Sequence, residues 1–153
     1  MFLRAIGVTM THIPFRATSD VMAAMIGGQI DFAIDNMTTI WPAAQNGEVR
    51  ALGVTTAGRV AAAPDLPTIG ESLPGFEATA WQGLFAPAGT PQPIIEKLAD
   101  EVNRIFLLPD VVNSLRKVGV DPLPMRPSNF AQFVRSERLK WAEVVKSSGV
   151  RID

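Results

Sequence analysis

The chain has 153 residues, 47% hydrophobic and 19% charged, which suits one compact domain or two small lobes and is too apolar for a disordered tail. A formal net charge of −1, with Lys and Arg spread along the chain, gives no electrostatic footprint for nucleic acid or for a membrane surface. Cysteine is absent, which excludes disulfides, thiolate metal sites and a Cys nucleophile but leaves the compartment open.

The opening "MFLRAIGVTM" lacks the apolar core and small-residue cleavage site of a signal peptide. No apolar run approaches the roughly 20 residues needed to cross a bilayer. The expectation is a soluble chain with no export signal. "TMTHIP", 9–14, reads as a short strand. Val21, Met22, Met25 and Ile26 then recur at helical spacing, and Gly27-Gly28 should close that helix. "IDFAID", 30–35, reads as a second strand. "TTIWPAAQNG" reads as a helix capped by Thr38 or Thr39 and closed by Asn46-Gly47, and "VRALGVTT", 49–56, as a third strand.

Residues 57–78, with Pro64, Pro67 and Pro74, read as a loop-rich connector and the best place for a boundary. "ATAWQGLFAPAGTP" follows as an apolar strand and turn. Thr90 should cap a helix with Pro91 at its first position. Ile94, Ile95, Leu98, Val102, Ile105 and Phe106 give that helix its apolar stripe. "DVVNSLRKVG" begins a short helix ending at Gly119, "VDPLPM" an extended edge piece. A last helix spans about Ser128 to Ser148, with Phe130, Val134, Trp141 and Val145 on its apolar side. Short strands alternating with helices predict an α/β protein with a mostly parallel sheet.

Nothing in the chain has the pattern of an active site. The single histidine, His12, sits in an apolar strand. Asp31 and Asp35 share a strand face, yet nothing nearby supplies a second catalytic group. "IGGQ" closes a helix, whereas phosphate-binding glycine loops open one. No metal site and no cofactor is implied. The turn Arg16-Ala17-Thr18-Ser19-Asp20 has two readings. Thr18, Ser19 or Asp20 could simply cap the helix. The same turn could also present free N–H groups and Arg16 to a carboxylate.

The runs "HIPFRATSDVMAAMIGGQIDFAIDN", "PDLPTIGESLPGFEATAWQGLFAPAGTP", "EVNRIF", "GVDPLPM" and "KWAEVVKSSGVRID" together resemble the solute-binding receptors of tripartite tricarboxylate transporters, the Bug family. The resemblance covers nearly all of this chain but only about the C-terminal half of such a receptor. It implies a partial periplasmic-binding-protein type II fold, with a small carboxylate held between two lobes and passed to membrane permease subunits. It also implies a periplasmic location. Residues 1–75 would belong to the second ligand-binding lobe, and 76–153 would return to the first with the long terminal helix.

By the same resemblance, Pro14, Phe15, Arg16 and Thr18 line the ligand cleft, with Phe15 and Ala17 where the family commonly has Tyr and Gly. "AIDN" matches the family's Phe-Asp-Asn and brings Asp35 and Asn36 to the cleft, and Trp81 occupies an aromatic position near the hinge. The loops that grip the ligand carboxylate in the family fall in the part this chain does not match. A half receptor would leave apolar faces bare, so self-association is expected. The first reading is a carboxylate receptor fragment without catalysis. The alternative is a stand-alone assembly module that has lost its ligand.

Overall fold

The computed structural model describes residues 1–148, so the last five residues of the "KWAEVVKSSGVRID" stretch lie outside the described residues. Helices form where apolar residues recur at three- and four-residue spacing. They are α1 (Phe2–Ala5), α2 (Thr18–Ile26), α3 (Met37–Gln45), α4 (Ile69–Ser72), α5 (Gln92–Ile105), α6 (Pro109–Lys117) and α7 (Pro127–Ser148). The stop at Gly28 works as expected. Its φ of +67° lets its N–H reach Met25 at 3.1 Å while the Gln29 N–H reaches Ala24 at 2.8 Å, which satisfies two of the terminal carbonyls of α2.

Three cap assignments move. Ala17, in extended conformation, is the residue before α2, and no side-chain hydrogen bond caps that helix. Asn36 holds the same position before α3, ahead of Thr38 and Thr39, again without a side-chain cap. Pro91 rather than Thr90 precedes α5, and the Thr90 hydroxyl instead donates to the Pro87 carbonyl at 2.8 Å. α2 and α3 start so early that the expected capping side chains already lie within the first turn, whereas α5 starts one residue late and leaves Thr90 too far out.

The expected parallel sheet is not resolved. Residues 9–14, 30–35 and 78–86 are assigned neither to a helix nor to a ladder. Among the described residues one isolated parallel bridge appears, Val54 with Thr68. It rests on the Val54 N–H donating to Pro67 and the Ile69 N–H donating to Val54, both at 2.9 Å. On the opposite edge of the same segment the Ala78 N–H donates to Thr55 at 2.9 Å. The third expected strand thus has chain hydrogen-bonded along both of its edges.

Contacts divide the chain into two units. Unit 1 comprises Met1–Thr9, Gly83–Leu108 and the chain from Leu123, and unit 2 comprises Met10–Gln82 and Pro109–Pro122. Among the described residues the buried apolar side chains, Met22, Ala24, Ala43, Val54, Val60, Ala63 and Phe76, all belong to unit 2. Val54, Val60 and Ala63 form its centre, with Met37, Trp41 and Leu66 packed against them. The proline-rich stretch 57–78, which reads as a connector, is thus a packed element. Thr68 and Glu71 close a capping box on α4, and the Arg59 guanidinium reaches Glu71 at 2.8 Å and the Pro64 carbonyl at 3.2 Å. In unit 1, α5 packs with α7, and Phe130 lies against Phe85 at 5.4 Å between ring centroids.

Candidate functional site

The residues singled out in the sequence, Pro14, Phe15, Arg16, Thr18, Asp35, Asn36 and Trp81, all fall in unit 2. Most gather at the starts of α2 and α3, two helices that pack together. Pro14, Phe15 and Arg16 are exposed on the approach to α2, and Thr18 is its half-buried first residue. The bonds from Asp20 and Val21 to the Ala17 carbonyl begin the helix, so the N–H groups of Thr18 and Ser19 precede the intrahelical ladder. Arg16 carries no ion pair among the described residues. A cation, free donors and the positive end of a helix dipole therefore share one short turn.

At the start of α3 the Asn36 N–H donates to Asp35 Oδ1 at 2.7 Å. Asp35 is half-buried and Asn36 exposed. That bond fixes the carboxylate beside the helix start and leaves the Asn36 amide open to solvent, ready to donate and accept. Trp81 is half-buried near the end of the Met10–Gln82 stretch of unit 2, separate in sequence from both helix starts.

A different feature of unit 2 escaped the sequence reading. An open groove of about 600 Å³ is lined by Trp41, Gln45, Ala62, Asn113, Arg116 and Lys117, and none of the seven residues above lines it. Arg116 is engaged by Asp121 at 3.2 Å. Arg116 and Lys117 end α6, where cations offset the helix dipole, so their clustering has a structural cause. The signal was visible as "LRK" before Gly119 but does not distinguish a groove from a helix end. Among the described residues no group of three His, Asp or Glu side chains could hold a metal ion. No helix there is long and apolar enough to cross a membrane.

Comparison with known proteins adds what the geometry leaves open. The chain superimposes on the Rhodopseudomonas palustris protein Rpa4515 with adipate, with a TM-score of 0.86 and 32% identity over 97% of this chain and 50% of that one. It is similar to the periplasmic binding protein BugD, TM-score 0.81, 33% identical, covering 98% of this chain and 51% of that one. It is also similar to MatC from Rhodopseudomonas palustris with bound malate, TM-score 0.75, 37% identical, covering 94% and 50%. These neighbours share a periplasmic-binding-protein fold, of which this chain spans half. The chain likewise spans less than half the length of the first curated relatives it matches, 42% and 43%. The family described as "Tripartite tricarboxylate transporter family receptor" matches residues 1–150. Its members are binding receptors and not enzymes, and the chain belongs to this family of tripartite tricarboxylate transporter receptors.

Proposed function

We propose that this chain supplies part of a receptor for a small carboxylate, which a tripartite tricarboxylate transporter takes up through its membrane permease subunits. The observation that carries this reading is the exposed, unpaired Arg16 at the free N–H groups that open α2. Such a turn gives a carboxylate charge-assisted hydrogen bonds from side chain and backbone together. The solved neighbours with adipate and malate support a dicarboxylate. Asp35 and Asn36 would orient the ligand from the start of α3, with Phe15 and Trp81 as apolar walls, and Pro14 and Thr18 would hold the turn. The periplasmic neighbour BugD supports the periplasm as the compartment. In this reading residues 1–75 are part of the second lobe and 76–153 return to the first.

The test is a thermal melt of the chain with adipate, malate, citrate and acetate. Ligand at about 100 times its Kd adds roughly 2.7 kcal/mol of stability. A shift with one of the diacids, lost in Arg16→Ala, supports the reading. Loss of a charged hydrogen bond of about 1.5–3 kcal/mol would weaken binding roughly 10–150-fold. A melt that none of them moves overturns it for the chain alone. A second reading, an assembly module that self-associates, is favoured by the apolar side chains that unit 1 leaves in solvent. A ligand-insensitive homodimer in solution would establish it.

A further inference from the structure

We infer that the groove between α3 and α6 is a binding site for a small, multiply charged oxyanion, a phosphorylated or polycarboxylate molecule, separate from the turn at Arg16. All of its lining belongs to unit 2. Gly119, just past α6, meets Met37 at the start of α3, where an added Cβ would lie 2.7 Å from the Met37 Cβ. Away from that contact, Trp41 and Gln45 follow Met37 along one face of α3 at four-residue spacing, while Lys117, Arg116 and Asn113 step back from Gly119 along α6. Trp41 is half-buried and packs on the Val54, Val60 and Ala63 centre, so with the half-buried Ala62 it gives the groove a fixed inner side. Gln45, Asn113, Arg116 and Lys117 are exposed and form its rim.

Every polar side chain of that lining can donate a hydrogen bond, and none is a carboxylate. Helix capping does not use these donors up, because the backbone serves the last carbonyls. Asn46, Gly47 and Glu48 donate to Pro42, Ala44 and Ala43 at the end of α3, and Val118, Gly119 and Val120 donate to Leu115, Arg116 and Leu115 at the end of α6. The dipole of α6 explains why cations gather there, but not what their N–H groups bind. Asp121 accepts from Arg116 Nε at 3.2 Å, which orients the guanidinium and leaves both Nη groups without a partner among the described residues. Lys117, Gln45, Asn113 and the Trp41 indole likewise have no hydrogen bond or ion pair among the described residues. No buried side-chain nitrogen or oxygen there lacks a partner, so the unpaired Trp41 Nε1 reaches solvent. Asp110 shares the helix face of Lys117 but lies roughly 10 Å away along the axis. A guanidinium edge beside an ammonium suits an oxyanion with more than one charge, whose oxygens accept several N–H groups at once. At about 600 Å³ the groove has the size of a small-molecule site, and Trp41 and Ala62 alone give it less apolar surface than the core of a protein interface.

The test follows the indole N–H signals of the full, isotope-labelled chain by NMR during titration with pyrophosphate, with citrate and, at matched ionic strength, with chloride. The 3 tryptophans give separate signals, and Trp41→Phe identifies the one at the groove. A saturable shift of that signal is expected with pyrophosphate, with citrate or with both; pyrophosphate alone would mean a phosphorylated ligand, citrate alone a polycarboxylate. Lys117→Gln, at an exposed position that should leave the melt unchanged, should weaken the binding about 10-fold. Lys97→Gln removes the same charge from unit 1 and should change nothing. An unmoved Trp41 signal, a shift that chloride reproduces, or one that Lys117→Gln leaves alone or Lys97→Gln weakens equally would overturn the inference. Arg16 does not line the groove, so Arg16→Ala should keep the Trp41 response; its loss there would overturn the inference and assign the anion to the turn before α2. The receptor reading is judged separately, because a diacid melt shift that survives Lys117→Gln and disappears in Arg16→Ala belongs to that turn whatever the groove does.

Discussion

Gly119 carries two constraints at once. Its φ is +75°, and a Cβ built on it would lie 2.7 Å from the Met37 Cβ, so the end of α6 approaches the start of α3 through a missing side chain. Gly119→Ala should therefore cost about 2–4 kcal/mol, combining left-handed backbone strain with overpacking. A urea titration measures it. Gly58→Ala is the matched control: nothing lies within 4 Å of the added carbon, and the change should stay within about 0.5 kcal/mol. The Arg59–Glu71 pair makes a second prediction. Hydrogen bonds from the Arg59 guanidinium, and then from the Thr68 N–H, hold the Glu71 carboxyl down from 4.5 to about 2. A depressed acid stabilises the fold above its unfolded value and loses that contribution as pH falls through the folded one. The melt should therefore soften between pH 4.5 and 2. Glu71→Gln should flatten that limb, and an unchanged profile would show that the pair is broken in solution. The Thr-x-x-Glu spacing of this box was legible, but its three neighbouring prolines made the stretch read as a loop.

The long helix α7 shows how far a stripe can be read from spacing alone. Phe130, Val134, Trp141 and Val145 were expected on its apolar side, and the charges on the other. Glu137 breaks the rule. It is 8% exposed, and its carboxylate accepts from Trp141 Nε1 at 3.0 Å and from Lys140 Nζ at 3.1 Å. A tryptophan one turn on brings an N–H that needs an acceptor, and the acid four residues earlier supplies it. Glu137→Leu continues the stripe but takes this acceptor from the indole, so a loss of about 1–3 kcal/mol is expected. Glu137→Gln keeps a carbonyl in place and should cost less; equal losses would mean that packing rather than hydrogen bonding holds α7. The starts of α2 and α3 follow the same pattern. Helix positions came from apolar spacing, which is local. Which residue precedes each helix did not, because Ser, Thr, Asp and Asn crowd both turns and tertiary fit selects among them.

Burial is unequal between the two units. With every buried apolar side chain among the described residues in unit 2, native-state hydrogen exchange should protect the amides of 54–76 and α2 longest and release α5 and α7 first. Uniform protection would mean that unit 1 is covered in solution. The family was legible because its motifs run in order along the whole chain. The parallel sheet was read from short strands alternating with helices, and that order along the chain says nothing of whether a neighbouring strand is present to complete a ladder. The unequal division also has a kinetic consequence. The contacts of 54–78 join residues close in sequence, whereas unit 1 gathers three stretches, the first two separated by residues 10–82. Closing that long loop delays unit 1, and contacts of short separation form first. Refolding should then be biphasic, with Val54→Ala slowing the fast phase and Phe130→Ala the slow one alone.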